Sequence, residues 1–242
     1  MCGIAGFINK KNEFNESEIE RVLNSFKFNL KHRGPDSDGI WKDNDDKIYF
    51  AHTRLSINDL SEKGSQPMKS KNNSFVLVFN GEIYNHWNIR KSFLNKFNIN
   101  WEGTSDTETL LKSIEFLGIE KSLNLLEGMF AFAFYDKLKK KLYLARDKFG
   151  EKPLFYGVVN NSFVFGSELK IFSRFPNFKK KISTDALSLF LKYSYVPEPY
   201  SIYEKVFKVR PGEYLEINLN EVNINNDLST NNLKKFNWYK PV

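Results

Sequence analysis

Residues 129–165, MFAFAFYDKLKKKLYLARDKFGEKPLFYGVVNNSFVF, read as a series of four short strands: Met129 to Tyr135, Lys141 to Arg146, Pro153 to Val159 and Ser162 to Phe165. Each is apolar and aromatic, and each is bounded by turn-forming residues. The turns near Asp136 to Lys140 and at Asn160-Asn161 suit hairpins, so the strands are expected to be antiparallel. Upstream, Lys47 to Ile57 and Ser74 to Ile83 are β-rich, and Cys2 to Ile8, closed by Asn9 and two lysines, reads as a buried strand. A last strand is expected near Glu213 to Asn218.

Around these strands the spacing turns helical. Ile19, Val22, Leu23, Phe26 and Leu30 recur on one helical face, with Asn15 or Ser17 as the cap and a stop before Gly34-Pro35. Further helices are expected from Asn85, from Asp106 to Gly118, and from Thr184 to Tyr193. Helices before and after two blocks of antiparallel strands predict an α+β layered sandwich rather than a βαβ Rossmann unit. The one linker-like stretch is the polar segment Asn220 to Asn232, so the domain is expected to span 1–218, with 219–242 as linker.

The 242 residues, 41% hydrophobic, are enough to bury a substantial core. The formal charge of +7 arises from 36 basic and 29 acidic residues interleaved along the chain. Tight basic runs occur only at Lys139 to Lys141 and Lys179 to Lys181, where turns are expected, so nucleic-acid binding is not expected. A single cysteine excludes an intramolecular disulfide, and no apolar stretch approaches a membrane span, which predicts a cytoplasmic chain. His32, His52 and His86 show no metal-ligand spacing, so no metal is expected. Neither a phosphate-cradling glycine loop nor a Gly-x-Ser-x-Gly elbow occurs.

Cys2 is unusual by position. Removal of Met1 would put its thiol beside a free α-amine, a base with a reference pKa of about 7.7–8.0. One residue would then supply nucleophile and base, although a free cysteine in a strand also fits a small buried hydrophobe. Asn80-Gly81, after the apolar run Phe75 to Phe79, could aim a side-chain amide and a backbone N–H at one point, or form a hairpin turn. Arg54 could grip a carboxylate with two parallel hydrogen bonds or make a structural ion pair. Asp106 could pair with an ammonium or cap a helix. Taken together these groups provide what an amino acid bearing a side-chain amide needs.

The ordered set MCGIAGF, His32-Arg33-Gly34-Pro35-Asp36, Ala51-His52-Thr53-Arg54-Leu55-Ser56-Ile57, Asn80-Gly81-Glu82-Ile83-Tyr84-Asn85, Ser105-Asp106-Thr107-Glu108 and Gly128-Met129-Phe130-Ala131-Phe132 resembles class II glutamine amidotransferases, and most nearly the glutamine-hydrolysing asparagine synthetases. Arg146-Asp147 with Gly150, Ser167-Glu168-Leu169-Lys170, Tyr195-Val196-Pro197 and Arg210-Pro211-Gly212 extend it along nearly the whole chain. The resemblance implies a four-layer αββα sandwich of the N-terminal-nucleophile hydrolase type. It implies that Cys2 attacks the amide of L-glutamine, that Asn80 and Gly81 stabilise the oxyanion, and that Arg54 binds the α-carboxylate. Asp106 and Glu82 would hold the α-ammonium, and Leu55, Ser56, Ile57 and Asn58 would line the same pocket. No cofactor is implied for this half-reaction. The family's second domain binds ATP and Mg2+ through a Ser-Gly-Gly-x-Asp-Ser loop that does not occur in these residues. The chain is therefore expected to be a fragment, a truncated product or a separate glutaminase subunit, feeding ammonia to a synthetase domain or subunit; a homodimer is compatible. Transfer to another acceptor such as a sugar, or a non-enzymatic regulatory module, are the alternatives.

Overall fold

Strong β-formers set the centre of the molecule, and their alternation explains why both faces of the strands are apolar. The computed structural model describes residues 1–11, 13–221 and 233–240. Strands β1 (Gly3–Ile8), β2 (Ser37–Asp43) and β3 (Ile48–Arg54) precede β4 (Met68–Lys69) and β5 (Phe75–Ile83). Then follow β6 (Gly128–Asp136), β7 (Lys141–Arg146), β8 (Phe155–Val159), β9 (Ser162–Gly166), β10 (Val206–Lys208), β11 (Glu213–Asn218) and β12 (Leu233–Asn237). They form two six-stranded antiparallel sheets, ordered β10-β8-β9-β1-β3-β2 and β12-β11-β7-β6-β5-β4.

Successive residues of a strand point to opposite faces. Ile4, Ile8, Ile48 and Phe50 of the first sheet meet Val76, Val78, Ala131, Ala133 and Tyr135 of the second in the seam between the sheets. The alternate residues face outward. Phe7, Tyr49 and Ala51 pack under helix α1 (Glu16–Leu30) and the short α5 (Lys170–Ser173). Leu77, Phe79, Phe130, Phe132 and Phe134 pack under α2 (His86–Ile89), α3 (Asp106–Leu117) and α4 (Ile119–Leu125). The result is the expected αββα order, with each buried Phe contributing about 1.5–3 kcal/mol. Helix α6 (Thr184–Tyr193) lies at the periphery with only Ala186 buried.

Local signals hold where the sequence placed them. Asn15 caps α1 in a capping box with Glu18, and the five apolar residues expected on its inner face are buried. Ser105 caps α3, whose end falls at Gly118.

The hairpins β6–β7 and β8–β9 are present as expected, one in each sheet. Several expectations need correction. The segment after Arg33-Gly34-Pro35, where no strand was expected, carries edge strand β2; its residues are mostly half-exposed, which hides the alternation. Asn80-Gly81 is no turn at all, because β5 continues through it to Ile83. The stretch expected as linker from 219 contributes β12, paired with β11, while 222–232 lies outside the described residues. No helix among the described residues is long and apolar enough to cross a membrane.

Candidate active site

The ends of β1, β3 and β5 bring Cys2, Arg54 and Asn80-Gly81 to one end of the sandwich, around a cavity of ≈180 Å³. Cys2 precedes β1 and is half-buried. Its Sγ accepts a hydrogen bond from the Leu55 N–H at 3.4 Å, and its S–H reaches the Leu55 carbonyl at 3.7 Å. The Arg33 Nε–H donates to the Cys2 carbonyl at 2.9 Å, and Arg33 is itself paired with Glu168 at 3.1 Å. Burial raises the thiol above its ordinary pKa, opposed by the Leu55 N–H, the chain amine and Arg54. Burial also lowers the α-amine, here that of Met1, helped by Arg33 and Lys152.

The Gly81 N–H and the Asn80 amide owe their placement to how β5 ends. Strand β4 is two residues long and pairs only as far as Leu77, so beyond it the outer edge of β5 has no strand neighbour. The Phe79 N–H on that edge donates to Gln66 Oε1 at 2.6 Å, and the Ile83 N–H to Asp106 Oδ2 at 2.9 Å. Gly81 lies between them, opposite Phe130. Phe130 turns its own N–H and carbonyl away, to Asp147. Antiparallel alternation therefore aims the Gly81 N–H outward, into the cavity. Beside it, Asn80 is 1% exposed, and neither atom of its amide has a hydrogen-bond partner among the described residues. A buried amide left unpaired costs about 1–3 kcal/mol, so this group is held ready for something that enters the cavity.

Arg54 lies at another wall. Its Nη1 donates to the Ser61 carbonyl at 2.8 Å, and its Nη2 to the Asp59 carbonyl, which fixes the loop after β3. A guanidinium has five N–H donors, so others remain for a ligand. Its partners are backbone carbonyls rather than a carboxylate, so among the described residues it makes no structural ion pair. Asp106 is 4% exposed and accepts from Ile83 and Thr107, and burial raises its pKa despite these donors and Asn58. Glu82, Leu55, Ile57 and Asn58 also line the cavity. Ser56 does not: its N–H is drawn 2.7 Å to Asp36 Oδ2, a correction to its expected place.

Other residues of the site were not read from the sequence. Asp59 Oδ2 binds the Thr104 N–H at 2.9 Å and joins the two loops; hydrogen bonding, first from Ser61, lowers its pKa to about 2. Gln66 and Lys152 line the cavity as well, beside Thr107 of the Ser105-Asp106-Thr107-Glu108 motif. Only the chain's return across 13 residues from Phe79 to Gln66, or 45 from Thr104 to Asp59, makes these partners, and no local pattern announces that. Arg33-Asp36 and Asp147 lay within motifs the sequence did single out. His52, in the seam, holds Phe79 O at 3.2 Å, and His32 pairs with Glu168; no group of metal-ligating residues occurs among the described ones.

Fold and site together define a layered α+β sandwich that brings a cysteine thiol, an arginine and an unpartnered asparagine amide to one cavity. The chain belongs to the glutamine amidotransferase domain family, whose model matches residues 1–227. A Bacillus subtilis asparagine synthetase (glutamine-hydrolysing) is 36% identical over 217 residues, covering 90% of this chain and 33% of that protein. A Gibberella zeae protein named Amidase chry2 is 31% identical, over 91% of this chain and 33% of its own length. The chain thus spans about a third of these relatives. The structure of the glutamine phosphoribosylpyrophosphate amidotransferase of B. subtilis superposes with a TM-score of 0.68 at 19% identity, over all of this chain and 50% of that one, which shows the shared fold.

Proposed function

We propose that the chain hydrolyses the side-chain amide of L-glutamine through a thioester on Cys2, after removal of Met1. The observation that carries this reading is the buried, unpartnered Asn80 amide facing the same cavity as the Cys2 thiol. Arg54 receives the α-carboxylate, while Asp106 and Glu82 hold the α-ammonium. The Cys2 α-amine takes the thiol proton as sulfur attacks the amide carbon, and the carbonyl electrons move to oxygen. The Asn80 amide N–H and the Gly81 N–H stabilise that oxyanion. Collapse breaks the C–N bond, the amine returns its proton to nitrogen, and ammonia leaves. Water then adds to the thioester, the C–S bond breaks, and glutamate and free thiol are released.

No cofactor takes part in these steps. The ammonia goes to an ATP- and Mg2+-dependent synthetase domain or subunit that makes asparagine, in the cytoplasm, where a lone thiol stays reduced. Mass spectrometry after treatment with 6-diazo-5-oxo-norleucine tests the reaction. Loss of Met1 and one adduct on Cys2, prevented by excess glutamine, is the expected result. A folded chain with Cys2 unlabelled would instead make it a non-enzymatic module.

A further inference from the structure

The cavity holds one cation that the steps above do not use. Lys152 is 6% exposed and lines the cavity with Met1 and Cys2. Its backbone is fixed on both sides, the N–H donating to Asp147 Oδ2 at 3.0 Å and the carbonyl accepting from Arg146 Nε at 2.8 Å. Asp147 accepts in addition from Phe130, Phe149 and Glu151, so the turn that presents Lys152 is tied to β6. The lysine's ammonium forms no ion pair among the described residues; its polar contact is the Met1 sulfur at 3.4 Å. That contact disappears when Met1 is removed. A desolvated cation without an anion is costly, and a rigid turn holds this one at the chain's amino end.

We infer that Lys152 is a positioning residue for proton transfer, keeping the α-amine of processed Cys2 in the unprotonated form that accepts the thiol proton. This rests on the reaction proposed above. A second positive charge is disfavoured next to a fixed one. Around the amine of Met1, which marks the chain's amino end, Cys2 and Asp36 favour protonation while Arg33 and Lys152 disfavour it; Arg54 and Asp106 act on the thiol. Arg33 is already committed to the Cys2 carbonyl and to Glu168, whereas Lys152 is not neutralised by any such partner among the described residues.

The test is the rate at which 6-diazo-5-oxo-norleucine labels Cys2, followed across the titration range of an α-amine, in processed wild type, K152M and K152R. The acid limb of K152M is expected to move about one unit to higher pH, with labelling about tenfold slower on that limb and the same plateau above it. K152R is expected to return the limb to the wild-type position. A K152M profile that keeps the wild-type midpoint and is merely lower throughout would overturn the inference, as lost packing alone does that. K152Q serves as the second neutral variant if K152M does not fold. Wild type left unlabelled at every pH overturns the glutaminase reading itself, a result distinct from an unmoved limb.

Discussion

At the scale of single residues, function and stability pull against each other most plainly at Asn80. Its amide is buried with nothing to bind among the described residues, a cost of about 1–3 kcal/mol that folding must absorb. Asn80→Ala removes both the cost and the proposed oxyanion donor. Glutamine turnover is expected to fall about 10²–10³-fold, while thermal unfolding stays at the wild-type temperature or rises. A variant that unfolds earlier would show the amide to be structural. Cys2, Arg54, Asn80 and Asp106 could be singled out as a set because few residue types suit an amide substrate, and the fold brings all four to one cavity. Asp59, Gln66 and Lys152 were not, since their meaning comes from contacts such as Gln66 Oε1 to the Phe79 N–H, made only by the folded chain.

At the scale of elements, the neighbouring position behaves in the opposite way. A Cβ on Gly81 would stand 2.2 Å from the Met129 carbonyl and 2.7 Å from Phe130 Cα, both backbone atoms of β6. Gly81→Ala must therefore push β5 from β6, and both turnover and melting temperature are expected to drop; an unchanged melt would mean the strands do not pack this closely. The start of α3 depends on a similar brace. Arg90 lies 3.8 Å over Trp101, and donates to Thr109 Oγ1 at 2.7 Å and to the carbonyls of Gly103 and Ser105 at 2.9 and 2.8 Å. Lysine cannot reproduce that planar fork. Arg90→Lys is expected to raise KM for glutamine more than it lowers kcat, because it loosens the turn that carries Asp106; equal loss in both would place its effect elsewhere. Strands with both faces covered, such as β1 and β6, were easy to read as continuous apolar runs. Edge strand β2 was not, since its two large apolar side chains are adjacent and only partly buried: Ile40 packs on the cluster under α1, and Trp41 lies 5.4 Å from Phe50 and 5.8 Å from Tyr135.

At the scale of the whole molecule, the site exists because two sheets meet in register: Cys2 and Arg54 come from one, Asn80 and Gly81 from the other. His52 ties them, reaching from β3 to the Phe79 carbonyl on β5, one residue before Asn80. Full burial lowers its pKa from 6.5 to about 4, so the ring is neutral near pH 7 and donates through Nε2–H. Below pH 6.5 the unfolded chain binds a proton here that the folded chain refuses. Stability from this group is thus complete above pH 6.5, is lost as pH falls toward 4, and amounts to roughly 3 kcal/mol in total. His52→Leu abolishes the titration at the expense of leaving the Phe79 carbonyl without its donor. Its unfolding free energy should be lower at neutrality, yet should fall less steeply between pH 6.5 and 4, by up to one proton in the slope. Parallel curves for wild type and variant would mean that His52 takes up its proton within the folded seam, and that the two sheets can part there without unfolding.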